Sequence, residues 1–552
     1  MRKKLAIRAW QAAGLSLAAL AGLWAVVTYF SLRASGVTGS DPYAYVQMAV
    51  DLARHGTLLH TFPLAPQIAA WNLPTWPAVP VGYRPPDALT GQSATVWPPG
   101  YAAFLAGAYL VAGEAGLYLL PPVVGLLALA ALWALCLEVL RAWPAERRFL
   151  AAGLAVFVLA TSYRQLEGAV LPMADLPSQL FTLLAVYGAL RATRLGEGAR
   201  AGRVWAAQAS WAALSGLCLG LAFSIRYTQV LLAVSLLFIW ASFPRQGDSG
   251  WRGLTARLVS FGLAAWLGAL PTLGYHTLAF GHPFAVGSAE LGLFGWAYVP
   301  ASALALAREL LRTNEFLYLV PFLLWGLARL GRSAKKESVA LLLWLGALVA
   351  FHLPYPALRA RDLLSVFPVL ALWIGAGAAD MLTWAFGPGS LVAAWARARN
   401  FVVRGLVVGA VVLLFGARVR LTLQWPLHAG QFDTFGYLHA GQRVAFDEIR
   451  RLTSPEAVLA ASLNSGALDL YSAREAVRPG SWTADEWRRF VQLALEDGRA
   501  VYVLVDGEEM QAPRQALEPA YALSPVAELD LPYFYPDGSS DHRPVELFQI
   551  IP

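Results

Sequence analysis

Residues 97–113 read WPPGYAAFLAGAYLVAG, and whether this stretch crosses a bilayer decides the architecture of the chain. It is apolar but short, and Gly and Pro interrupt it. A spanning helix needs about 20 mainly apolar residues, whereas a run of roughly 10–14 is more often interfacial or re-entrant. Charge arbitrates. If the stretch does not span, the basic loops 141–148 (RAWPAERR), 191–203 (RATRLGEGARAGR), 244–257 (PRQGDSGWRGLTAR), 329–336 (RLGRSAKK) and 396–400 (ARARN) all fall on the side of the N-terminal MRKK. Cytoplasmic loops carry the excess of Lys and Arg in membrane proteins. If it does span, the later loops invert and that rule fails. The stretch is therefore read as non-spanning.

Around it lie eleven runs expected to span: Leu5–Phe30, Leu117–Leu140, Phe149–Ser162, Leu176–Ala192, Ala209–Ile225, Gln229–Phe243, Leu258–Phe280, Phe316–Leu330, Val339–Leu353, Leu363–Phe386 and Phe401–Leu423. The composition agrees. Of 552 residues 57% are hydrophobic and 14% charged, against about 25% charged in a soluble protein. The first run follows a basic end, is longer than a signal-peptide core and has no convincing small-x-small cleavage site, so it is expected to remain as a span. The net charge of +7 divides unevenly. From Gly430 onward 19 acidic residues face 10 arginines, a net of −9, which leaves +16 on the rest. The basic excess sits in short loops between apolar runs, which argues against nucleic acid as a partner. Cys136 and Cys218 lie within apolar runs and suggest no disulfide or metal framework.

This reading predicts a mainly helical multi-pass protein of the plasma membrane with a cytoplasmic N-terminus. Segments 31–116, 163–175, 281–315 and 354–362 lie outside, as does the tail. Two domains are expected: a transmembrane part over 1–428 and an extracytoplasmic α/β domain over 429–552. In the tail, EAVLAAS, AVYVLVD, VAELDL and PVELFQII read as strands, and NSGALDLYSA and TADEWRRFVQLALEDG as helices. Thr483 and Glu486 form a candidate capping box.

The first outer segment contains GSDPYAYVQMAVDLARHG, residues 39–56. Tyr45, Met48, Ala49 and Leu52 share one helical face, so a helix on the membrane surface or against the outer span ends is expected. Asp41 precedes Pro42 at the helix start. Asp is a good N-cap and Pro suits the first helical position, so Asp41 is either a cap or a chemical group held at a fixed place. Asp175, in MADLPSQLF, repeats the pattern at the fourth run. Outer arginines gather as well: Arg84 in GYRPPD, Arg226 in FSIRYTQ, and Arg359 and Arg361 in YPALRARDLL. A guanidinium suits bidentate contact with phosphate. The loop AAWNLPTWPAVPVGY is either a substrate groove or part of an interfacial aromatic belt.

The ordered set SDPYAYVQMA, WPPGYAAFLAGAYL, MADLPSQLFTLLA, GLCLGLAFSIRYTQVLL, YHTLAFGHPFAVGS and YPALRARDLLSVFPVLAL resembles the GT-C type polytopic glycosyltransferases. These include protein O-mannosyltransferases and lipid A aminoarabinose transferases. The resemblance covers roughly residues 1–425. It implies a hexosyl- or pentosyltransferase of the cell envelope that takes a sugar from a polyprenyl-phosphate donor to a glycan, lipid or protein hydroxyl. It makes Asp41 the catalytic base and Asp175 the second acid. Beside it, by their own chemistry, Arg359, Arg361, Arg226 and Arg84 are the candidates for the donor phosphate, and Tyr43, Tyr45, Tyr101 and His282 the groove candidates. The resemblance leaves a divalent cation (Mg or Mn) on Asp41 and Asp175 open, because Pro42 stands where many relatives carry a second acid. Two other readings remain: a lipid or sugar transporter or flippase, and a non-catalytic membrane subunit with a partner-binding tail.

Overall fold

The computed structural model describes residues 2–194, 201–242, 250–285, 289–386, 394–423, 432, 434–536 and 539–552. Backbone polar groups can be satisfied in hydrocarbon only within helices or closed barrels. The apolar part of this chain is a helical bundle.

Six helices are long and apolar enough to cross a membrane: Arg8–Ser31, Glu114–Val139, Ala206–Ile225, Gly253–Phe280, Ala360–Ala385 and Arg404–Leu423. Each corresponds to one of the eleven expected runs. A seventh arises if Ala145–Ala160 and Tyr163–Val170, which meet at 65°, form one broken span. The expected count of eleven is not confirmed among the described residues, where the remaining runs fall short of that test. The physical reason is length and charge. The run Gln229–Phe243 is split into a 3-10 turn, Tyr227–Leu232, and a ten-residue helix, Ala233–Ser242. The run Phe316–Leu330 falls in a helix of 14 residues, and Val339–Leu353 in one that opens on Lys335, Lys336 and Glu337. The basic loops 191–203 and 244–257 lie partly outside the described residues. The outward surfaces of the spans are apolar, with Leu263, Trp266, Leu267, Leu406, Val412 and Leu413 all exposed. Such a belt suits lipid and not water. The protein is a multi-pass membrane protein.

Small residues bring the spans together, as is usual in lipid. A Cβ at Gly216 would fall 2.0 Å from the Phe261 carbonyl oxygen, and one at Gly377 2.0 Å from that of Phe322.

The stretch 97–113 forms a 13-residue helix, Gly100–Ala112, that ends at Gly113 and turns directly into Glu114–Val139. It is too short to be counted as a span. It packs on the helix Asp41–His55, with Tyr101 against Tyr45 at 5.9 Å between ring centroids. The helix Asp41–His55 is enclosed by protein. Pro42 to Asp51 are all buried, because a second layer covers the helix: Gly466 abuts the Tyr43 ring so closely that a Cβ there would approach to 2.5 Å. The covering element is more than 400 residues away in sequence, so the helical face alone could not reveal it.

The tail is an α/β unit with a five-stranded sheet ordered Glu475–Val477, Val458–Ala460, Val501–Leu504, Ser540–Ile551, Ala522–Phe534. The first three strands are parallel and the last two form a long antiparallel hairpin. The helix Ala484–Glu496 begins with the expected Thr483–Glu486 capping box. The strand Glu475–Val477 and the helix Ala440–Leu452 were not foreseen. The unit is stitched to the first outer segment. Strand Gly36–Val37 pairs with Tyr437–Leu438, the Val37 amide donates to the Tyr471 hydroxyl at 2.8 Å, and Tyr471 meets Tyr118 at 2.6 Å. Next to this seam His60 lies between Asp51 and Asp469, each 2.9 Å away. Burial alone would lower the His60 pKa, but the charge and hydrogen bonds of Asp469 and then Asp51 outweigh it and push it up from 6.5 to about 10.

Candidate active site

Asp41 owes its position to the backbone before it. Gly39 adopts φ +73, and a Cβ there would touch the Phe435 ring at 2.9 Å. Only glycine takes this conformation without strain. The Gly39 amide donates to the Leu463 carbonyl, and Thr38 Oγ1 donates to Asn464 Oδ1 at 2.7 Å. The chain is thus clamped to the tail just before the acid.

Asp41 is not the helix cap. Ser40 occupies the N-cap position, without a side-chain cap bond, and Asp41 is the first helical residue. Its carboxylate turns elsewhere: Oδ1 accepts from Ser40 Oγ at 2.8 Å and Oδ2 from Arg361 Nη2 at 3.0 Å. Asp175 opens the helix Asp175–Arg194 in the same way, with Pro177 in its first turn. It is ion-paired with Arg226, which follows the helix Ala201–Ile225. Arg226 also reaches Asp362 at 2.9 Å, and Asp362 Oδ2 accepts from the Arg359 amide at 3.0 Å. Four separate element ends therefore converge, carrying Asp41, Asp175, Arg226 and the segment Arg359–Asp362.

Exposure separates the roles open to these groups. The Asp41 side chain is 20% exposed and that of Asp175 7%. Among the arginines, Arg359 is 49% exposed, against 15% for Arg361 and 21% for Arg226. Arg361 and Arg226 are committed to carboxylates, whereas Arg359 leans on Asp362 only at 3.5 Å. Glu290 is a further acid beside the cluster. Its burial and the neighbouring charges of Asp41 and Asp362 raise its pKa. The same is true of the Tyr45 hydroxyl, which is buried near Asp41.

A second ion network supports the arginine segment from beneath. Arg164 pairs with Glu167 at 2.6 Å and with Glu309 at 3.0 Å. Glu309 accepts from the Ala360 amide at 3.0 Å. Glu315 accepts from Ser162 and the Arg164 amide, and its main-chain carbonyl from Arg418. Burial pushes the Glu315 carboxyl up to about 7. Asp362, Glu309 and Glu315 were not singled out in the sequence for the site, although Asp362 lies one residue from Arg361.

The structure brings together Asp41, Asp175, Arg226, Arg359 and Arg361, with Tyr45 alongside. It places the other candidates elsewhere. Arg84 packs over the Phe280 ring at 5.3 Å. Tyr43 points to Asp469 at 3.4 Å, on the seam with the tail. Tyr101 is buried against Tyr45, and His282 is an exposed residue beside Phe284. A divalent cation on the pair Asp41 and Asp175 is not established. Both carboxylates are engaged by arginines, and among the described residues no group of three or more His, Cys, Asp or Glu side chains is arranged to hold a metal ion.

No family model matches the chain, and no curated protein does. Solved structures do. ArnT from Cupriavidus metallidurans bound to undecaprenyl phosphate superposes with a TM-score of 0.59 at 13% identity, covering 97% of each chain. The Archaeoglobus fulgidus oligosaccharyltransferase tethered with an acceptor peptide gives 0.54 at 14% identity, covering 96% of this chain and 74% of that one. The same archaeal enzyme, AglB, in complex with an inhibitory peptide and a dolichol-phosphate gives 0.52 at 14% identity. These are GT-C glycosyltransferases. The chain has their fold, and the resemblance seen in the sequence holds at that level.

Proposed function

We propose that the protein is a membrane glycosyltransferase that moves a sugar from a polyprenyl-phosphate donor to an acceptor hydroxyl on the extracytoplasmic side, with inversion at the anomeric carbon. The observation that carries this reading is the convergence of a part-exposed Asp41 with the half-exposed Arg359, in a fold shared with proteins solved in complex with undecaprenyl phosphate or dolichol-phosphate. The acceptor O–H gives its proton to an Asp41 carboxylate oxygen as its oxygen attacks the anomeric carbon. The bond from that carbon to the phosphate oxygen breaks, and the leaving phosphate takes up the electron pair. General-base help of this kind is worth about 10²–10⁴-fold. Arg359 faces the departing charge, an electrostatic contribution. Arg361 holds Asp41 in place, and Asp175 positions Arg226, which in turn holds Asp362 under Arg359. No step runs through a metal.

The direction of the chain is part of the same proposal. The cluster and the tail lie outside, and MRKK inside. Glu138 and Asp380, far along their helices from the cluster, pair with Arg194 and Arg147 near the basic loops. The test is transfer by the purified protein in lipid, with polyprenyl-phosphate hexoses and pentoses offered as donors. Release of polyprenyl phosphate together with a glycosylated acceptor of opposite anomeric configuration supports the proposal. Saturable flux of the donor across proteoliposomes without transfer would replace it with a flippase.

A further inference from the structure

A cavity of about 460 Å³ lies in the tail, away from the acid–arginine cluster, and nothing above uses it. Its size is typical of a small-molecule site, and its place in the fold is informative. Strand Val458–Ala460 is the middle one of the three parallel strands. The chain passes from it to Glu475–Val477 on one side and then to Val501–Leu504 on the other. That is a topological switch point. In open α/β sheets ligands bind there, outside the carboxyl ends of the strands. The cavity is lined by residues from the segments after these ends: Ser462 two residues on, Arg478 directly after, and Glu509 five residues on.

Its chemistry is mixed and close to charge-balanced. The Arg478 guanidinium can only donate, and its buried Nε has no hydrogen-bond partner among the described residues. Glu509 can only accept when ionised, and it takes a bond from Ser462 Oγ at 3.0 Å. Trp482 and Trp487 form a wall, with ring planes 14° apart. Their indole N–H groups are already bound to the carbonyls of Pro74 and Pro513, so they offer the cavity only apolar ring surface. A donor, an acceptor and apolar rings together match a polyol ring, whose hydroxyls both give and take hydrogen bonds and whose C–H groups pack on aromatics. A phosphate group would meet Glu509, with Asp506 close behind it.

From this geometry we infer that the cavity binds a neutral saccharide unit. The segment that lines it at Ser462 also contacts the chain just before Asp41. Ser462 and Asn464 donate their amides to Asp506 at 2.7 and 2.9 Å, and between them the Leu463 carbonyl holds Gly39, two residues before Asp41. Given the transfer reaction proposed above, the bound unit belongs to a glycan acceptor. The binding itself does not depend on that reaction.

The experiment is saturation-transfer NMR on the full-length protein in detergent, with methyl α-mannoside, methyl β-glucoside and methyl β-galactoside as probes. At least one probe binds saturably to the wild type. Arg478→Met and Glu509→Gln, each shown to be folded by its thermal transition, weaken that binding tenfold or more, whereas Asp41→Asn leaves it unchanged. Binding by none of the probes, or binding indifferent to both cavity substitutions, overturns the inference. Binding without any transfer would count against the glycosyltransferase reading alone. Transfer with cavity variants that bind as the wild type does would count against the saccharide site alone.

Discussion

Arg226 stands between Asp175 and Asp362, paired with both, the second at 2.9 Å. One cation thus holds two buried carboxylates from different helices. Removing one partner of a buried pair is costly because the other is left uncompensated. Arg226→Met is expected to lower stability by roughly 3–5 kcal/mol and to abolish activity. Arg361→Met, which frees only the part-exposed Asp41, costs clearly less. Thermal unfolding of the two variants in the same lipid checks the order.

Of the three arginines in the cluster, Arg359 is the most exposed. Arg359→Gln is expected to raise KM for the polyprenyl-phosphate donor about tenfold and to lower kcat as well, because a leaving-group contact strengthens in the transition state. Steady-state kinetics at varied donor concentration reads both. A change in acceptor KM alone would contradict the assignment.

Gly39→Ala puts a Cβ against Phe435 at a positive φ. Such strain costs of order 1–3 kcal/mol, and it falls two residues before Asp41. A drop in melting temperature with a larger drop in turnover is expected. Gly22→Ala, where nothing lies within 4 Å, should change neither.

The His60 cluster makes the seam between the first outer segment and the tail pH-dependent. The folded-state pKa is about 10 against an ordinary 6.5, so folding favours the protonated form. Its stabilisation is complete below about pH 6.5 and is lost as pH rises through about 10. The groups facing it are Asp51, Asp469, Gln47 and, through its ring, Tyr83. The melting-temperature gap between wild type and His60→Gln should therefore shrink steadily across that window. A gap that widens with pH would contradict the pairing.

Much of the site was legible because acids and arginines are scarce in an apolar chain. An Asp one or two residues before a Pro at a helix start, seen twice, marked Asp41 and Asp175, and Arg226, Arg359 and Arg361 were marked by their place in the apolar chain. What pairs with what was not legible. Asp41 and Arg361 are 320 residues apart, and no local pattern joins them. The same distance hid Asp469 from His60 and Gly466 from Tyr43. The cap reading of Asp41 failed for a local reason, since Ser40 takes the cap position and frees the carboxylate. In the tail the Thr483 capping box was legible from four residues, whereas the three-residue strand Glu475–Val477 carries too short a period to read.

The central claim is that Asp41 takes the acceptor's proton. Its most direct test is the turnover of Asp41→Asn with a polyprenyl-phosphate sugar and acceptor, measured beside wild type at matched melting temperature. Asn keeps the shape and the contact with Ser40, and Asp41 has no capping bond to lose, so the fold should stand. The account predicts a fall in kcat of about 10²–10⁴-fold with donor binding retained. Turnover near that of the wild type would contradict it.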